Sequence, residues 1–284
     1  MDELTWLADA GTLRRPLFVV ALRGMFDAAE AATDAVERLE DRYSAEPLAD
    51  IDPENFFDFQ QERPLVELDE DGERRIRWPR NRATAATIPN SRHDLVLLSG
   101  VEPHLRWRTF SSHLVTIAQR TQAEMVVTVG AMVGLAPHTR PLGVVGSATD
   151  STLAARLGLG RPSYEGPTGL VGALHDALDT ADIPVISLRV SVPHYVPNPP
   201  NPEASRSLLR RFELVTGIDT GHHALDASAE TWRSRVDAAV GADSDLLDYV
   251  RNLERQVDES DDLFPSGDDL MRELEAYLRE RGEE

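Results

Sequence analysis

The residues best placed to do chemistry lie between Arg161 and Tyr195. Glu165-Gly166-Pro167-Thr168-Gly169 stands immediately before apolar residues at helical spacing, Leu170, Val171, Leu174 and Leu178. A glycine-bracketed turn that opens a helix leaves free N–H groups, and such groups bind anions. The same turn could serve only to let the helix pack closely on a sheet, the commoner use of isolated glycines. Both readings stand at this point. Further on, Ile183 to Val192 is an apolar, β-branched run of strand length, halted by Pro193 and followed by His194-Tyr195. Ligands of open α/β sheets bind beyond the carboxyl ends of the strands, which makes this pair a second candidate. Its competing role is to anchor a loop by aromatic packing and one hydrogen bond. Arg23, Arg140 or Arg189 would complete an oxyanion pocket with Thr168 and His194, because guanidinium groups match oxyanions. Against that, surface carboxylates are abundant enough to pair with every one of these arginines. The candidate ligand-binding set is Gly24, Gly130, Gly166, Thr168, Gly169, His194 and Tyr195.

Several chemistries are excluded or unsupported. The chain has no cysteine, hence no disulfide, thiolate metal site or cysteine nucleophile. All 29 basic residues are arginine. Without lysine there is neither a Schiff base nor a phosphate loop of the Walker type. None of the eight histidines stands in a His-Glu-x-x-His spacing, and the adjacent His222 and His223 would point about 100° apart on a helix. No Gly-x-Ser-x-Gly elbow occurs, and Gly158-Leu159-Gly160 runs into Arg161-Pro162-Ser163, which spoils a dinucleotide fingerprint. No catalytic residue, metal or cofactor is therefore assigned. A formal charge of -20 argues against a nucleic-acid partner. No apolar run approaches the roughly 18 residues of a membrane span. The acidic opening Met-Asp-Glu-Leu-Thr-Trp is not a secretory leader, so a cytoplasmic protein is expected.

The elements that must position these residues follow from periodicity. Leu17 to Leu22 is a continuous apolar run, a buried strand ended by Arg23-Gly24. Asp27 reads as a helix start, with Ala32, Ala35, Val36 and Leu39 inward. Residues 47–51 predict a second strand. Between Phe56 and Trp78 the pattern breaks into short pieces, and Asp71-Gly72 between two alternating runs signals a hairpin. Asp94 to Ser99 and Met125 to Val129, the latter stopped by Gly130, are further buried strands, separated by a helix carrying Trp107, Phe110, Leu114 and Ile117. A short strand at Val144 to Ser147 and a short helix at Ser151 to Leu157 follow. Pro197 to Pro202 forms an exposed semi-rigid loop, and helix resumes from Glu203 to Gly217. Beyond Asp219 every segment reads as helix. Leu246, Val250, Leu253 and Val257 have the spacing of a short helix–helix seam, and Leu270, Leu274, Tyr277 and Leu278 mark a last amphipathic helix. Strands alternating with helices, then helices alone, predict an α/β domain over 1–217, with a hairpin inserted near 56–78, and a helical extension over 218–284.

Val126-Val127-Thr128-Val129-Gly130, the turn at Gly166 to Gly169, the strand closing on Val192-Pro193-His194-Tyr195, the Asn-Pro segment before Ala204, and Ile218-Asp219 resemble, in order and spacing, the proteasome assembly chaperone type 2 (PAC2) family. The Phe-Phe-Asp-Phe, Arg63-Pro64 and Trp78-Pro79 pieces resemble its actinobacterial branch, and the resemblance spans about residues 16–240. It implies a three-layer α/β/α domain with a largely parallel central sheet, similar to nucleoside phosphorylases and without recognised catalytic residues. It also implies an assembly-chaperone role, a homo-oligomer with a trimer favoured, and proteasome α subunits as partners. The alternative is a phosphorylase-like enzyme or a binder of a small anion such as a nucleoside or phosphate. The first βα turn, Leu22 to Asp27, lacks the glycine- and proline-rich form of many archaeal members. Tyr277 lies too far from Glu284 for tail docking, so activation by an inserted tail is not expected.

Overall fold

Alternation within the buried strands decides the layering. In the strand Leu17–Arg23, the side chains of Leu17, Val19 and Ala21 enter one core, and those of Phe18, Val20 and Leu22 enter another on the opposite sheet face. The computed structural model describes residues 3–11, 13–69, 71–162 and 164–263. In chain order its elements are β1 (Leu4–Trp6), β2 (Leu17–Arg23), α1 (Ala31–Arg42), β3 (Glu46–Ile51), β4 (Leu65–Leu68), β5 (Arg74–Arg77), β6 (Asn81–Ala86), β7 (Leu95–Val101), α2 (Trp107–Arg120), β8 (Met125–Gly134), β9 (Val144–Ala148), α3 (Ser151–Leu157), α4 (Leu170–Thr180), β10 (Val185–Pro193), α5 (Pro202–Thr216), α6 (Asp226–Gly241) and α7 (Ser244–Leu263).

Eight strands form one sheet in the order β1-β3-β6-β7-β2-β8-β10-β9. The central four, β7, β2, β8 and β10, are parallel, and the flanking strands are antiparallel to their neighbours. Helices α1, α3 and α5 cover one face through Val36, Leu39, Leu153, Leu208 and Phe212; α2 and α4 cover the other through Phe110, Leu114, Leu170 and Leu174. This is the three-layer arrangement expected. The start of α1 is fixed by Asp27, whose buried carboxylate accepts from the Ala32 N–H at 2.7 Å and the Thr33 hydroxyl at 2.5 Å. Burial pushes its pKa up, against the pull of those hydrogen bonds.

One expectation needs correcting. Gly130 does not stop its strand: β8 runs on to Gly134, paired with β10 as far as Pro193. Gly130 is there because the Phe26 carbonyl passes 3.3 Å from where a Cβ would sit, a crossing held by the Ala131 N–H donating to that carbonyl at 2.7 Å. The Phe56-Phe57 pair belongs to the core, with the Phe56 ring 5.5 Å from Phe110, and only Leu65–Leu68 and Arg74–Arg77 form the hairpin, a two-stranded sheet apart from the main one. Strand β1 spans only three residues and β6 carries no large apolar residue, so neither announces itself. The helix expected around Leu270 to Leu278 lies outside the described residues. Among the described residues, no helix is long and apolar enough to cross a membrane.

Candidate functional site

On the face covered by α4, β8 and β10 change character along their length. Val126 and Val185 pair in register and are buried in the core; two residues on, Thr128 pairs with Ser187; two further, Gly130 pairs with Arg189. Strands buried on both faces are normally apolar throughout, so this same-face switch to polar residues marks where the core ends. Beyond it lies a cavity of about 1360 Å³, bounded by the ends of β2 and β7, the middle of β8 and β10, the segment before α4, the first turn of α2, and α4 along its length. Strands β2 and β8 stop pairing after Val20 and Thr128. The neighbouring parallel strands β2 and β7 lead to helices on opposite faces of the sheet, β2 to α1 and β7 to α2, which makes this a topological switch point of the kind at which α/β sheets open a crevice.

The floor is polar and only partly satisfied. The Thr128 hydroxyl lies 2.9 Å from His175 Nε2. Burial, and then the Arg189 charge, lower the His175 pKa from 6.5 to about 4, so the ring is neutral near pH 7. Ser187 is only 3% exposed, and its hydroxyl has no hydrogen-bond partner among the described residues. Arg189 and Arg161 likewise form no hydrogen bond or ion pair there. Arg23 is paired with Glu62 at 2.5 Å, and Glu102 accepts from the Met25 N–H at 2.9 Å. Phe26, Trp107, Tyr164 and Met132 supply apolar wall.

The expected site residues divide. Gly24, Gly130, Thr168 and Gly169 line the cavity, with Arg23 and Arg189. Gly166 stands at its rim with φ 151°, where a Cβ would meet the Tyr164 hydroxyl at 2.6 Å. His194, Tyr195 and Arg140 do not join them. The Tyr195 hydroxyl lies 2.7 Å from His138 Nδ1 and accepts from the His138 N–H at 2.8 Å, while His138 Nε2 lies 3.0 Å from Asp237 of α6. His194 packs on Tyr249 of α7 with ring centroids 5.5 Å apart, and Arg140 pairs with Asp258 of α7 at 2.8 Å. The His-Tyr pair thus lies against α6 and α7, which fold back onto the end of β10. Ser187, His175 and Arg161 were missed. A polar i, i+2 pair inside an apolar strand, Ser187 and Arg189, was the signal available.

The profile of the PAC2 family matches residues 21–240. The chain belongs to the PAC2 family. This PAC2 chain is 40% identical to a PAC2 family protein from Streptomyces avermitilis, with 83% of this chain and 99% of that one covered and a TM-score of 0.77. It is 39% identical to a proteasome-assembly chaperone homologue from Mycobacterium tuberculosis, covering 82% of this chain and 99% of that one, with a TM-score of 0.74. An archaeal proteasome activator from Pyrococcus furiosus, at 15% identity and a TM-score of 0.65 over 84% of this chain and 99% of that one, shares the fold. A search of curated proteins found no match.

Proposed function

We propose that this PAC2 protein is a non-enzymatic interaction protein of the assembly-chaperone type, that it self-associates, with a trimer the expected form, and that its partners are proteasome α subunits. The observation that carries the reading is the detached hairpin. Val66 faces Ile76 across the strands, with Leu68 on the same face, and all three are more than half exposed. The other face is ion-paired, Glu67 with Arg77 and Asp69 with Arg75, each at 2.6 Å. A lone two-stranded hairpin is marginal in water, and an apolar face on one calls for a cover.

The edges of the main sheet are poor alternatives. At one edge β1 has three residues, and at the other the Gly160 backbone bonds to β9 at 3.0 Å through both its N–H and its carbonyl. The likeness to a proteasome-assembly chaperone homologue supports the choice of partner. Light scattering after size-exclusion chromatography should give an oligomer that Ile76→Asp dissociates. Monomer alone at micromolar concentration would refute self-association, and failure to capture α subunits from native lysate would refute the partner.

A further inference from the structure

We propose that the cavity between β2, β8, β10 and α4 binds a small organic oxyanion, its head group held by Arg189 and Ser187 and its body lying against Phe26, Trp107 and Tyr164. The inference rests on the cavity alone and is independent of the hairpin and its partners.

Unsatisfied groups converge on the floor. Ser187 is only 3% exposed as a residue, lines the cavity, and its hydroxyl has no protein partner among the described residues, so it is open to bond what enters. Arg189, two residues along on the same face, is also unpaired, in a chain where acidic residues outnumber basic ones by 49 to 29. The N-cap of α4 is Gly169, which offers no side-chain acceptor, so the first-turn amides at the cavity wall are uncapped. Arg161, from the segment before α4, supplies a second free guanidinium.

Carboxylates also line the cavity, Glu102 within 3.9 Å of where a Gly169 Cβ would sit. Glu62 is neutralised by Arg23, Glu102 is held by the Met25 amide, and Asp176 and Asp179 are exposed on α4. After burial, the Arg189 charge is what lowers the His175 pKa, which puts that guanidinium close to the floor. Its neutral imidazole keeps the Thr128 hydroxyl oriented without adding a second charge. The aromatic wall fits a flat apolar body better than a bare ion.

Titration calorimetry of the full chain at fixed ionic strength with phenyl phosphate, benzoate and benzyl alcohol tests this. The two anions should bind saturably, and benzyl alcohol, the neutral body, at least about tenfold more weakly. Arg189→Gln should weaken phenyl phosphate by about tenfold, with Arg189→Lys intermediate, since a lysine keeps the charge and loses the planar fork. Ser187→Ala should weaken it by a few-fold and serves as the second probe if Arg189→Gln does not fold. The proposal is overturned if neither anion saturates, if benzyl alcohol binds as well as phenyl phosphate, or if a folded Arg189→Gln or Ser187→Ala protein keeps full affinity.

Discussion

Two polar clusters sit along the same strand, β10, one at its middle and one just past its carboxyl end, and meet opposite fates. Around His138, Tyr195 and Asp237, each polar group has an internal partner, and His194 and Arg140 are held by α7. Burial pushes the Tyr195 hydroxyl above its ordinary pKa, as suits a group serving as a neutral hydrogen-bond bridge. Around Ser187 and Arg189, a few residues earlier, the side chains face a cavity and have no bonding partner among the described residues. The first cluster fastens helices to the sheet; the second is organised yet unspent. Residue type does not separate a ligand site from a structural clasp. What separates them is whether the protein itself supplies the partners.

Predictions can break this contrast. The largest effect concerns His175. Its folded pKa is about 4 against 6.5, so as pH falls the unfolded chain takes the proton first. Stability should drop by roughly 3 kcal/mol as pH falls across that window, and His175→Asn should remove that share of the slope in urea denaturation. A wild-type and variant slope that coincide would mean the ring is not buried as described.

On the clasp side, His138→Ala strips a buried ring with two hydrogen bonds and should cost about 2 kcal/mol of stability in urea denaturation, while leaving phenyl phosphate affinity unchanged. A change in affinity would show the two clusters to be coupled. Arg140→Gln breaks half-exposed ion pairs to Asp258 and Glu254 and should cost less than about 1 kcal/mol, less again in high salt. Smallest of all, Arg189→Gln should alter stability by no more than about 0.5 kcal/mol, because no internal bond is lost. A large loss there would place Arg189 in the clasp category instead.

Much of the fold was legible in the chain. Runs such as Leu17 to Leu22, alternating over two cores, and the helical spacing of Leu170, Leu174 and Leu178 need no tertiary information, because burial imposes its period on the side chains. The Asp71-Gly72 turn and the Leu246, Val250, Leu253 seam were legible for the same reason. Strand β6 was not: Asn81-Arg-Ala-Thr-Ala-Ala pairs between β3 and β7 through its backbone, and small side chains leave no hydrophobic signature. Gly130 misled because a glycine in a strand reads as a stop, whereas here it makes room for a carbonyl from another segment.

For the site, the sequence by itself determined the candidates: the glycine turn before α4, the arginines, and the His-Tyr pair after β10. Only the tertiary structure decided which remain available. Partnering is a long-range property: Asp237 reaches His138 across 99 positions, and Thr128 meets His175 across 47, distances in sequence over which no local pattern carries information. Local periodicity fixed which faces are buried; the fold-back of α6 and α7 fixed which polar ends were bonded internally and which were left open.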